Sequence, residues 1–119
     1  MKVIVFIALT LILFSVGVSA KYITKQNTSG VEIDSYFAHS NGAVSLIISG
    51  SVENLDECTS ATRVYIPHDI PGKELLVSVS LSAFMSGKRV GFHGSGCGTT
   101  PFWGGSIDVP IVDNMWVIK

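Results

Sequence analysis

Apolar and polar positions change their spacing several times along the chain, and each change marks an element. From Val31, VEIDSYFAH sets Val31, Ile33, Ser35 and Phe37 on one side of an extended backbone and Glu32, Asp34 and Tyr36 on the other. A period of two predicts a half-buried strand. Ser40-Asn41-Gly42 supplies hairpin-turn chemistry, so the branched run AVSLIISGSV, Ala43 to Val52, is predicted to return antiparallel. Asn54 to Ser60 reads as a polar loop that carries Cys58. TRVYIP, Thr62 to Pro67, predicts a third strand, closed by a proline that cannot donate to a ladder.

The segment KELLVSVSLSAFMSGK, Lys73 to Lys88, carries two periods at once. Its centre, from Val77 to Ala83, alternates like a strand, yet Leu75, Leu76, Val79, Ala83 and Phe84 also fall on one helical stripe. Pro71 and Glu74 suit a first turn, and Gly87 followed by two cations suits a last one. The length exceeds an ordinary strand, and the reading adopted is a helix with its serines mostly on the flank and outer face.

Beyond Gly87, KRVGFHGSGC predicts a short fourth strand ending at Cys97, and Gly98 to Ser106 a loop. IDVPIVDNMWVIK gives one strand interrupted at Pro110, or two short ones, while Lys21 to Asn27 reads as a polar, exposed arm. The expected fold is mainly β with one α-helix, in the order β-β-β-α-β-β. That order suits a small closed barrel of the OB-fold type, with a flat two-layer α+β domain as the alternative.

Ahead of these elements stands VIVFIALTLILFSVGV, Val3 to Val18, preceded by Lys2 and followed by Ser19 and Ala20. A charged start, a short apolar run and a small-residue exit predict a signal peptide over residues 1–20. The alternative is a retained anchor, since the run approaches the ~18 residues needed to span a membrane, but a polar, glycine-punctuated chain follows at once. Cleavage after Ala20 leaves residues 21–119 as a single domain, secreted or periplasmic, without a membrane span.

The 119-residue chain has eight cations and nine carboxylates; without Lys2 the formal charge is −2, which excludes a nucleic-acid partner of the basic-patch kind. Two cysteines, Cys58 and Cys97, travel to an oxidising space. A disulfide between them is expected, and closing a loop of about 40 residues contributes on the order of 3–4 kcal/mol through the unfolded chain.

Tyr65 to Cys97, YIPHDIPGKELLVSVSLSAFMSGKRVGFHGSGC, resembles a segment of many small secreted bacterial proteins: strand, proline-bounded turn, amphipathic helix ending in Ala-x-x-x-Gly-Lys, strand, then Gly and Cys. More distantly it resembles the B subunits of the subtilase-cytotoxin and typhoid-toxin kind. In those, a Ser-Gly-Val-x-Ile-like start of the first strand carries a serine that hydrogen-bonds a sialic acid carboxylate. Ser29-Gly30-Val31-Glu32-Ile33 is similar, and the resemblance implies that Ser29 contacts a glycan, that the chain assembles as a homo-oligomeric ring, and that a secreted enzymatic subunit is its partner.

Catalytic chemistry finds little purchase. His39, His68 and His93 are the only histidines, and none belongs to a recognisable catalytic motif. Ser95 between glycines lacks the α/β length that a nucleophile elbow requires. His93 and Cys97 could share a zinc, but three or four ligands are needed and the others are isolated. The glycines of FHGSGCGTTPFWGG, Phe92 to Gly105, open no helix and so form no phosphate cradle. No catalytic residue, metal or cofactor is expected.

Phe102 and Trp103 remain, adjacent aromatics on a glycine-rich loop. They either cap the core or stack on a sugar ring. The expected function is a non-catalytic secreted binding module for a glycan or cell-surface partner, with Ser29, Phe102 and Trp103 as ligand-binding residues. The alternative is a small exported structural or accessory protein without a ligand site.

Overall fold

The computed structural model describes residues 21–25, 28–99 and 107–119. The signal peptide expected over residues 1–20 and the aromatic pair Phe102 and Trp103 lie outside the described residues. Within them the protein is mainly β with one helix: β1 (Lys21–Tyr22), β2 (Ile33–Ala38), β3 (Val44–Ile48), β4 (Arg63–Ile66), α1 (Lys73–Ser86), β5 (Arg89–Gly94), β6 (Cys97–Thr99), β7 (Asp108–Pro110) and β8 (Asn114–Ile118).

The predicted hairpin forms: β2 and β3 pair antiparallel, the His39 and Gly42 amides closing the turn on Ala43 and His39 carbonyls. β4 pairs with β3 to complete a three-stranded meander. The alternation within β2 does not run as its sequence suggests. Ile33 pairs with Ile48 but Ser35 with Ile47, so β2 carries an extra residue. One extra residue reverses which side chains face inward. Val31 and Ile33 are buried before the bulge, and after it Tyr36 packs on the core.

The helix runs where expected and ends at Gly87, whose left-handed backbone lets the 87 and 88 amides reach the carbonyls of Phe84 and Ala83. Its buried face is turned from the expected stripe. Leu76, Ser80 and Ala83 are buried, whereas Leu75 is 70% exposed. Ser80 tolerates burial because its hydroxyl donates to the Val77 carbonyl at 3.0 Å and meets the Tyr36 hydroxyl at 3.3 Å.

A second sheet has the order β1-β5-β8. The arm beginning at Lys21 is therefore not an exposed tail. Tyr22 pairs with His93, the Ile23 amide donates to the Phe92 carbonyl, and Ile23 and Thr24 are buried. Backbone pairing carries this docking, with Ile23 the one apolar side chain it seals in. β6 and β7 form a separate ribbon, and Pro110 divides the C-terminal segment into two strands.

The ladders thus make three sheets among the described residues, not one continuous closed barrel. Two single bridges stitch them together: Val31 to Val90, antiparallel, and Tyr65 to Ile111, parallel. Between the sheets and α1 lies the main core, in which Leu46, Val64, Ile66, Val90 and Phe92 are fully buried, and Ala43, Tyr65 and Val109 form a second, smaller cluster. Each such side chain contributes about 1.5–3 kcal/mol by leaving water.

Candidate functional site

Ser29 stands on the exposed approach to β2, in a backbone held from both sides. Arg89 at the start of β5 donates from Nε to the Ser29 carbonyl at 2.7 Å and from Nη2 to the Gly30 carbonyl at 2.8 Å. Gly30 itself lies so close to the Val90 carbonyl that a Cβ would stand 2.3 Å from its oxygen. The serine is therefore fixed by its backbone, while its hydroxyl has no intramolecular partner among the described residues.

Thr28 and Gly30, on either side of Ser29, line a groove of about 180 Å³ with Thr24, Lys25, Ser51 and Glu53. Lys25 and Glu53 face each other at 3.4 Å, and the Thr28 hydroxyl donates to the Lys25 carbonyl at 2.6 Å. Thr24 is buried and bonded to the Phe92 amide and carbonyl, so the groups this groove offers a polyol or carboxylate are the Ser51 hydroxyl, the oxygen of Thr28 and the Lys25–Glu53 pair.

Cys58 and Cys97 form the expected disulfide, with Cα atoms 5.7 Å apart. Two carboxylates clamp the chain beside it. Asp56 accepts from Lys21 Nζ at 2.5 Å and from the Gly96 amide at 2.8 Å, and these bonds, Lys21 first, hold its pKa below the ordinary carboxylate value. Asp108 accepts from the Thr59 amide at 2.5 Å, which lowers its pKa likewise. Asn54 adds a side-chain bracket to the Cys58 amide and carbonyl. Cys58, Cys97 and Asp108 bring their ligand atoms within 4.8 Å of one another, but bonded sulfurs supply no thiolate to a metal.

The histidines fall into separate surroundings. His93 Nδ1 lies 3.4 Å from Asp113 Oδ1 in a half-exposed position, beneath the edge of Tyr22. Its zinc partnership with Cys97 does not arise, since that sulfur is engaged. His39 Nε2 meets Ser45 Oγ at 2.6 Å across the hairpin. This close Ser-His pair was not legible as a unit, because only the turn between residues 39 and 45 brings it together. Ser45 is fully buried, so its oxygen is out of reach of a substrate. Burial lowers the His39 pKa, favouring the neutral ring.

A further surface escaped the sequence pattern. Leu75, Leu81 and Met85 of α1 are 70%, 44% and 75% exposed, giving the helix an apolar outer face broken only by serines and Glu74. The described residues contain no helix long and apolar enough to cross a membrane. No protein-family model, curated protein or solved structure matches the chain.

Proposed function

We propose that this chain is a non-catalytic, secreted binding module built as an OB-type barrel, similar to a toxin B subunit, and that it recognises a glycan through Ser29. The barrel reading is supported by where the two single bridges fall. One joins the start of the first meander strand to the strand after the helix, and the other joins the third meander strand in parallel to the C-terminal segment. In a barrel reading these two bridges are the places where the meander would meet the strands that follow the helix.

The observation that carries the glycan reading is the exposed Ser29 hydroxyl, without a partner among the described residues, on an Arg89-anchored backbone whose two neighbours, Thr28 and Gly30, line a groove. Phe102 and Trp103 supply the stacking surface in this proposal, and the exposed apolar face of α1 is the surface a homo-oligomeric ring covers. A secreted enzymatic subunit completes the assembly. The test is a glycan array with sialylated and unsialylated members, probed with the purified protein. Binding that is lost in Ser29→Ala supports the reading; an empty array, with the variant indistinguishable from the parent, refutes it.

One observation favours a second reading. The groove lined by Thr28 and Gly30, at about 180 Å³, is smaller than the roughly 300–1,000 Å³ typical of small-molecule sites. A small exported accessory protein, with no sugar site, is then the alternative, and the same array decides between them.

A further inference from the structure

A larger cleft lies between α1 and the hairpin of β2 and β3. Its volume is about 440 Å³, within the range of roughly 300–1,000 Å³ that small-molecule sites occupy. It shares no lining residue with the groove beside Thr28 and Gly30. Tyr36 and Ala38 of β2, Val44 of β3, and Val77 and Leu81 of α1 make apolar walls, and Lys73 stands at one end.

The helix sets the cleft's length. Lys73, Val77 and Leu81 are spaced by four, which aligns them on one stripe, and the separation of eight positions from first to last spans about 12 Å at ~1.5 Å per residue. Tyr36 is pinned in the wall, its hydroxyl donating to the Val77 carbonyl at 3.3 Å or meeting Ser80 Oγ at the same distance. With that hydroxyl satisfied by the protein, the ring presents an apolar surface to an occupant. The cleft is thus formed before anything enters it.

Charge decides what the occupant carries. The Lys73 ammonium lies over Gly42, where it would stand 3.3 Å from a Cβ built on that glycine. It has no acidic partner among the described residues. Glu74 also reaches the cleft, but it is exposed and occupies the first turn of α1, where the positive end of the helix favours a carboxylate. A cationic ligand meets Lys73, and a ligand charged at both ends would lay its second charge against the apolar side chains of Val44, Val77 and Leu81, which offer it no polar partner. A ligand with one anionic head and an apolar tail of matching length satisfies both ends.

We propose that this cleft binds a monocarboxylate amphiphile of the medium-chain fatty acid class, with the carboxylate at Lys73 and the tail running along Val77 to Leu81. The test is an amide NMR titration of the purified protein with sodium decanoate, with 1-decanol as the uncharged control. Decanoate is expected to saturate one site with shifts centred on Tyr36, Val44 and Val77. Octanoate, two methylenes shorter, is expected to bind about tenfold more weakly. Lys73→Met, which keeps the apolar stem, is expected to weaken decanoate at least fivefold while leaving decanol unchanged. Ala38→Trp, filling the cleft from an exposed strand position, is expected to abolish both while the amide spectrum stays dispersed. The absence of saturable shifts, decanoate binding unaffected by either variant, or equal loss of decanoate and decanol in Lys73→Met overturns the proposal.

Discussion

Gly91 of β5 pairs directly with Trp116 of β8, and the indole occupies the space a side chain at 91 would need. A Cβ there would stand 2.1 Å from two ring carbons. The edge of Tyr22 packs on the same indole with centroids 6.1 Å apart. One glycine therefore lets Trp116 lie flat across β5 and tie β1 and β8 to it.

Replacing Gly91 by alanine sets two effects against each other. Removing backbone freedom favours the strand by about 0.5–1 kcal/mol, whereas overpacking costs about 1–3 kcal/mol. The contact is too short to be absorbed without moving the ring, so Gly91→Ala is expected to destabilise by 1 kcal/mol or more on this scale. Urea unfolding checks the sign, and adding Trp116→Leu in the same chain is expected to recover part of the loss.

Reduction tests the covalent link. Cys58 and Cys97 are 39 positions apart, and releasing that constraint is expected to cost about 4 kcal/mol in the chain-entropy picture. The Cys58→Ser, Cys97→Ser double variant is expected to show the same fall in urea midpoint as the reduced parent. Equal midpoints for the reduced and oxidised parent would contradict the stabilising role.

Acid should loosen the disulfide region. Asp56 and Asp108 have folded pKa values held below their unfolded ones by Lys21, Gly96 and Thr59. Their contribution is therefore complete above the unfolded value of about 4 and is lost as pH falls through the lower folded values. Asp56→Asn is expected to flatten that part of the stability profile. His39 adds a step at higher pH with the same sign. Its folded pKa is lowered by burial, so the stability it confers is complete above about 6.5 and declines below it. Unfolding midpoints between pH 7 and pH 2 separate the steps, and His39→Gln should remove only the upper one.

What the sequence revealed follows from how local each signal was. Pro71, Gly72 and Gly87 punctuate α1 in the chain itself, and Ser40-Asn41-Gly42 does the same for the hairpin. The helix face was misplaced because periodicity counts Ser80 as polar, whereas in the fold its hydroxyl is satisfied by Val77 and Tyr36. The bulge after Ile33 depends on register with β3, and the docking of the first residues on β5 depends on a backbone pairing some seventy positions away. Neither leaves a local trace. Ser29 entered through resemblance alone, and the Lys73 cleft was hidden because its walls come from three elements that only the folded hairpin brings together.

The outer face of α1 offers the last prediction. Leu75 and Met85 are each at least 70% exposed, so they contribute little to the monomer, and exposed substitutions usually change stability by no more than about 0.5 kcal/mol. Exposed apolar surface of this kind is instead held by a partner or left as a liability. Leu75→Lys with Met85→Lys is therefore expected to keep the urea midpoint of the parent. In light scattering the parent is expected to gain mass with concentration and the double variant to remain a monomer. A parent that stays monomeric at high concentration removes the ring, and a variant that assembles as the parent does moves the ring contact off the helix.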